Sequence, residues 1–180
     1  MYRTKKLAKK MITNQHFVGC PCGCNDGTPQ LDSRAILEIC MAAYQQEANE
    51  ERFAMLVRAI VLNISDNTIL LTPINAKGIP AGKHIITPND KVEELSIYSI
   101  HNHRNEEAYC AFTSEEEAKK LPYKNFLAWP LWALMQLALE NKEITGLVIN
   151  PGGNSFYMPS GFMADLLQSL KEKPEAKDNK

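Results

Sequence analysis

The sequence predicts one domain of the α+β class, and three observations lead to that prediction. Its 180 residues are too few for two ordinary domains. Apolar residues make up 44% and charged residues 23%, as in an average soluble globular protein, so the chain can fold around its own core. Patterns typical of helices lie towards the two ends, whereas the middle is dense in Val, Ile and Leu.

The N-terminal quarter predicts helices on either side of a loop. Residues 2–12 form at best a short basic helix, whose charged side chains are expected to be a solvated face. Residues 13–32 are rich in Gly, Pro, Asn, Asp and Cys, which indicates a loop. Asp32 or Ser33 can begin the next helix. Its apolar residues recur at helical spacing and predict a buried stripe of Ala35, Ile36, Ile39, Cys40, Ala43 and Tyr44.

The middle of the chain predicts strands. Residues 53–64 and 68–74 are two β-prone runs on either side of a turn, which favours a hairpin. The first run fits a helix equally well, because short apolar runs do not separate the two states. Further strands are expected over residues 84–87, 95–101 and 107–112.

The last third predicts three helix starts and one strand. Thr113 or Ser114, followed by glutamates, forms a capping box. Pro130 suits the first turn of a second helix, since its missing N–H has no partner to lose there. The run 146–149 reads as a short buried strand, and Ser160 then caps a closing helix.

Two segments in this last third carry a family resemblance. Ala111-Phe-Thr-Ser-Glu-Glu116 and Gly146-Leu-Val-Ile-Asn-Pro-Gly-Gly-Asn154 are similar, in order and spacing, to segments of the SseB N-terminal domain family. The resemblance covers about residues 53–168. It implies a mixed or antiparallel sheet with helices packed against it, and it brings no catalytic residue and no cofactor. Many members look like small cytoplasmic accessory or binding modules.

These observations divide the chain into three parts. Residues 1–48 are expected to be an N-terminal helical extension with a Cys-rich loop, which the family pattern does not include. Residues 49–170 are expected to be the SseB-like domain. Residues 171–180 are too polar to pack and are expected to be a disordered tail.

Three cysteines in the N-terminal loop form the one chemically suggestive motif. Cys20, Cys22 and Cys24 lie within five residues, and thiolates are preferred ligands of structural zinc. Zinc sites favour two or more residues between paired cysteines, so the Cys-X-Cys spacing is unusual. A metal site for zinc or another soft metal, a reversible thiol site and an inert loop all stay open.

Aromatic residues suggest a second site, a groove for a partner. Trp129, Trp132 and Phe112 could line such a groove, because aromatic side chains are favoured interface anchors. Packing in the core is the alternative interpretation of these residues.

Two histidines suggest part of a metal site. His101 and His103 would point to the same face of a strand and could provide two ligands. No third ligand stands at a matching spacing.

Charge balance, cysteine number and missing motifs narrow the kinds of function that the sequence allows. Twenty basic and twenty-one acidic side chains nearly cancel, which argues against nucleic acid or an anionic membrane as partner. No signal sequence or membrane span is apparent, and five cysteines are an odd number, so a reduced, cytoplasmic protein is expected. No Gly-X-Ser-X-Gly elbow or carboxylate pair stands out, so no catalytic residue is predicted.

The sequence therefore favours a non-catalytic cytoplasmic module that binds an unknown protein partner. Self-association through a free sheet edge stays open. The alternative function is a metal-binding or redox-sensing protein that uses the three clustered cysteines.

Overall fold

The computed structural model describes residues 32–79, 82–101 and 105–171 of the chain. Its helices, in chain order, are α1 (Ser33–Gln46), α2 (Glu50–Ser65), α3 (Glu115–Ala118), α4 (Leu131–Glu140) and α5 (Ser160–Lys171). Its strands are β1 (Ile69–Lys77), β2 (Ile85–Ile86), β3 (Glu94–Ile97), β4 (Ser99–His101), β5 (Glu107–Ala111), β6 (Phe126–Pro130), β7 (Ile144–Ile149) and β8 (Phe156–Pro159).

The first two helices begin at residues whose side chains cap them. Asp32 accepts a hydrogen bond from the backbone N–H of Arg34, and Asn49 accepts one from that of Arg52. Such caps occupy N–H groups that the first turn leaves without partners. The buried face of α1 is rotated from the predicted stripe: its buried residues are Leu37, Cys40 and Met41.

The predicted hairpin over residues 53–74 is wrong in its first half, which is the helix α2. The apolar residues of this run recur at i, i+3, i+4, i+7, i+8 and i+11, which is the spacing of one helix face. They are Phe53, Leu56, Val57, Ile60, Val61 and Ile64. β-Branched content suggested strands, but the spacing is helical, and the residues bury that face in the core.

The strands form two four-stranded sheets of mixed direction. The first has the order β2-β6-β1-β3, and the second has the order β4-β5-β7-β8. Each sheet contains one parallel pair, β2 with β6 and β5 with β7, and its other pairs are antiparallel. This confirms an α+β fold with mixed sheets and helices packed against them.

The two sheets meet at two places. Strand β3 continues into β4 with only Tyr98 between them. Leu71 and Phe112 exchange a pair of backbone hydrogen bonds of 2.9 and 2.8 Å. The main core lies where the helices cover the sheets, and α1, α2, α4 and α5 all contribute buried side chains to it.

Helices begin where the last third predicts them, although Ser160, predicted as a cap, is itself the first residue of α5. The hydroxyl of Ser114 accepts from the N–H of Glu117 at 3.2 Å, and α4 begins directly after Pro130. Two strands were missed. One is β6, which Pro130 ends; the other is β8, which lies between the glycine-rich turn and α5.

Strand β8 explains why residue 146 is glycine. A Cβ at Gly146 would lie 2.4 Å from the carbonyl oxygen of Met158 and 2.5 Å from the ring of Tyr157. The Tyr157 ring therefore lies directly over the glycine backbone, and its hydroxyl donates to the carbonyl oxygen of Thr145 at 3.0 Å. Both approaches require a residue without a side chain.

The predicted boundary at residues 48 and 49 falls between two helices that share one core. Helix α1 contributes Leu37, Cys40 and Met41 to the same cluster as Leu56 of α2. The guanidinium group of Arg52 in α2 also donates a hydrogen bond to the carbonyl oxygen of Ala43 in α1 at 2.7 Å. Helix α1 thus packs as part of the domain core. The predicted tail, apart from Lys171, lies outside the described residues.

Candidate functional site

A buried polar cluster lies at the carboxyl ends of the parallel strands β5 and β7. Thr113 follows β5 and Asn150 follows β7, and parallel pairing places both at the same sheet edge. The amide oxygen of Asn150 accepts from the backbone N–H of Thr113 at 2.9 Å, and its amide nitrogen donates to the Thr113 hydroxyl at 2.8 Å. Both side chains are almost wholly buried. One asparagine thus fastens the two loops together.

The backbone of Asn150 supports this arrangement. Its φ of +50° is in the left-handed region, which asparagine tolerates better than most residues. Its N–H donates to the carbonyl oxygen of Ala111 at 2.8 Å, and its own carbonyl accepts from Gly153 at 3.1 Å. The turn after β7 is therefore held on both sides.

Helix α1 joins the same cluster through Glu38. The hydroxyl of Thr113 donates to a carboxylate oxygen of Glu38, which lies 75 positions earlier in the chain. Nothing in the local sequence around Glu38 indicates this contact, because it depends on the packing of α1 over the sheet. The sequence did not predict this cluster: Thr113 was expected as a possible helix cap, and Glu38 was not singled out.

A second carboxylate lies beside the glycine-rich turn. Glu117 accepts from the ammonium group of Lys120 at 2.5 Å, whereas its other carboxylate oxygen is buried without a partner among the described residues. A Cβ at Gly153 would lie 2.5 Å from that oxygen. Gly153 therefore permits the turn to approach the carboxylate, and the site is a packing contact between α3 and the glycine-rich turn.

The structure separates the three predicted groove residues. Phe112 has no exposed surface and packs against Phe126 with the two rings edge to face at 6.0 Å. Trp129 is partly buried between the main core and a smaller cluster around Ile74. Trp132, on α4, is 38% exposed. Of the three, Trp132 alone offers substantial surface to a partner.

Trp132 lies in a small exposed surface at one end of the first sheet. Its indole N–H donates to the side-chain oxygen of Asn67 at 2.7 Å. Ile69, which is 42% exposed, pairs with Pro130 across β1 and β6. Pro130 lies two residues before Trp132 in the chain. We call Asn67, Ile69, Pro130 and Trp132 the Trp132 surface.

The predicted metal ligands give no complete site in the described part of the chain. Cys20, Cys22, Cys24 and His103 lie outside the described residues. The imidazole of His101 lies 3.2 Å from a carboxylate oxygen of Glu107. Within the described ranges no group of three His, Cys, Asp or Glu side chains is placed to hold a metal ion.

Two described cysteines are buried thiols. Burial raises the pKa of Cys110 to about 12, and the hydrogen bond with Tyr123 offsets only part of that effect. Burial also raises the pKa of Cys40. Since the thiolate is the reactive form, both thiols are poor nucleophiles near neutral pH.

Fold and site together define a small α+β domain whose two sheet-edge loops are fastened to each other and to an N-terminal helix. The family model for the SseB protein N-terminal domain matches residues 37–164. The chain therefore belongs to the SseB N-terminal domain family, and the match includes both loops and most of α1. Neither the curated proteins nor the solved structures contain a match to it. No helix in the described ranges is long and apolar enough to cross a membrane.

Proposed function

We propose that this protein is a non-catalytic, cytoplasmic accessory module that binds a protein partner through the Trp132 surface. The proposal rests on the exposure and the hydrogen bonding of Trp132. Its indole is partly exposed, yet its N–H is already bonded to Asn67 at 2.7 Å. Tryptophan is among the residues that contribute most to protein interfaces when they become buried.

The hydrogen bond to Asn67 supports a binding role because it fixes the indole before any partner arrives. Ordering a side chain at an interface costs roughly 0.5–1.5 kcal/mol, and a side chain that is already held avoids much of that cost. Ile69 adds a second exposed apolar group at the same end of the β1–β6 pair. An apolar centre beside polar Asn67 is the usual composition of a protein interface.

The polar cluster supports a non-catalytic role. Thr113 and Asn150 bond to each other and to backbone groups, and both are buried. These side chains therefore hold loops in place, and the motif segments of the family have a structural purpose. The free, buried thiols of Cys40 and Cys110 are consistent with a reducing compartment.

An affinity capture with matched variants tests the proposal. The full chain, W132S and L95S are immobilised at equal density, and the proteins retained from a lysate of the source cells are quantified. Leu95 is a matched control because it is 42% exposed and pairs with Ala76, far along β1 from the Trp132 surface. Urea denaturation first shows that both variants fold.

Three results of the capture are distinguishable. We expect a partner that the full chain and L95S retain equally and that W132S loses by at least fivefold. A partner retained equally by all three proteins contradicts the use of the Trp132 surface. No retained partner above background contradicts the binding role itself.

A second candidate function rests on the run of cysteines in the sequence. Cys20, Cys22 and Cys24 would bind zinc or undergo reversible oxidation. Metal analysis of protein purified under reducing conditions tests this, with the triple serine variant as control. Less than a tenth of an equivalent of metal, with unchanged melting of the variant, contradicts a structural metal site, because such sites contribute directly to folding.

A further inference from the structure

The N-terminal segment joins the described fold beside the Trp132 surface. The first described residues lead into α1, where the carbonyl oxygen of Ser33 accepts from the Asn63 side chain at 2.7 Å. The hydroxyl of Ser33 also donates to the carboxylate of Asp66. Asp66 directly precedes Asn67, which holds the Trp132 indole. Residues 1–31 are therefore tethered within a few residues of this surface.

The segment and the rest of the chain carry opposite charges. Five basic side chains and one acidic side chain give residues 1–31 a net charge of +4. Twelve basic and seventeen acidic side chains give residues 32–171 a net charge of −5. Opposite net charges attract over roughly a Debye length, about 8 Å at physiological salt. The charge balance favours contact between the segment and the domain.

The segment also contains an apolar group within reach. Phe17 and Val18 are adjacent, and the residues between Val18 and Leu31 are mainly Gly, Cys, Pro and polar residues. A tether of this length spans up to roughly 40 Å when extended, at about 3.4 Å for each residue. A linker of this length therefore permits Phe17 and Val18 to reach the Trp132 surface, which lies close to the point where the segment joins the fold.

We propose that the N-terminal segment, residues 1–31, docks on the Trp132 surface through Phe17 and Val18 and competes there with the protein partner. Tethering gives the segment an effective concentration of the order of millimolar, so even weak contacts occupy the surface. A partner must then displace the segment. The competition rests on the proposed function, whereas the docking itself does not.

A photo-crosslinking experiment on the full chain tests the docking without any partner. A benzophenone amino acid replaces Ile69 in one protein and Leu95 in another. The two positions are matched because both side chains are 42% exposed. After irradiation of dilute purified protein, peptide mapping identifies the crosslinked residues.

We expect crosslinks from position 69 to residues 1–31 at a yield at least fivefold above that from position 95. The double substitution F17S/V18S should lower that yield at least threefold. Crosslinks mainly to a second copy, seen as covalent dimers whose yield rises with protein concentration, overturn the proposal. Equal yields at the two positions, or no effect of F17S/V18S, overturn it as well.

The competition is tested separately, on the captured partner. F17S/V18S should increase partner retention at least threefold while W132S still abolishes it. If crosslinking succeeds but no partner is found, the docking stands and the proposed function fails. If a partner binds through Trp132 but position 69 gives no crosslink to residues 1–31, the proposed function stands and the docking fails.

Discussion

Single residues in this protein carry more than one structural role, and Asn150 is the clearest example. Its amide bonds both the N–H and the hydroxyl of Thr113, and its backbone adopts a left-handed conformation. Loss of the side chain therefore leaves a buried donor without a partner. It also places a less tolerant residue in the left-handed region.

We expect N150A to lower the free energy of unfolding by about 2–5 kcal/mol, from roughly 1–3 for the unpaired buried donor and about 1–2 for the backbone. N150G should lower it by less, because glycine adopts positive φ freely. Urea denaturation measures the unfolding free energy of both variants. N154A is the control, because Asn154 is exposed. Equal losses for N150A and N150G contradict the backbone contribution, and a loss no larger than that of N154A contradicts the role of the amide.

The thiol of Cys110 gives a prediction on reactivity and pH. Its pKa in the fold is about 12, against an ordinary value of 9.0, because the side chain is buried. At pH 8 the native protein should therefore alkylate at Cys110 far more slowly than the urea-unfolded protein, as peptide mapping would show. Equal rates in the two states would rule out a buried, protonated thiol.

The same pKa difference makes the folded protein less stable as the pH rises. Between about pH 9 and pH 12 the unfolded chain loses the Cys110 proton while the folded chain keeps it. The stabilisation of the fold by the protonated Cys110 thiol is therefore complete below pH 9 and declines as the pH rises from about 9 to 12. The C110A variant should lack this component of the pH dependence, whatever its effect at pH 7.

At the scale of elements, Glu38 connects α1 to the loops after β5 and β7. Its carboxylate accepts from the Thr113 hydroxyl, and that hydroxyl in turn accepts from the amide nitrogen of Asn150. One side chain thus links a helix and two strand ends. Because hydrogen bonds to charged groups contribute about 1.5–3 kcal/mol, this contact should affect how often α1 detaches from the sheet.

We expect E38A to lower the opening free energy of α1 by about 1–2 kcal/mol, as measured by native-state hydrogen exchange of the α1 amides. E38Q, which keeps an acceptor oxygen, should retain most of the protection. E47A serves as control, since the Glu47 carboxylate forms an exposed ion pair with Arg52 and its loss should have little effect. If E38A and E47A exchange alike, Glu38 does not hold the helix.

The elements also show what the sequence could predict. Caps and breakers act locally, so the helix starts at Ser114 and after Pro130 follow from the sequence alone. The run over residues 53–64 was ambiguous because its β-branched content and its helical spacing point in different directions. Strand β8 has four residues, and its position depends on pairing with β7 and on the packing of Tyr157 over Gly146, which no local pattern indicates.

At the scale of the whole molecule, the candidate sites depend on contacts between distant parts of the chain. The family segments 111–116 and 146–154 identified the fold, and their polar residues meet at one sheet edge as a structural cluster. Trp132 was predicted as a partner residue, but its neighbours Asn67 and Ile69 come from a turn and a strand more than sixty positions earlier. No local pattern could assemble that surface.

The most direct test of the binding role is the dissociation constant of the captured partner, measured by isothermal titration with the full chain, W132S and L95S. Loss of a buried interface tryptophan costs about 2 kcal/mol or more, which is roughly a thirtyfold change in Kd. We predict that W132S weakens binding at least about tenfold and that L95S leaves Kd unchanged within about twofold. A W132S protein that is folded and binds with the Kd of the full chain would contradict the central claim.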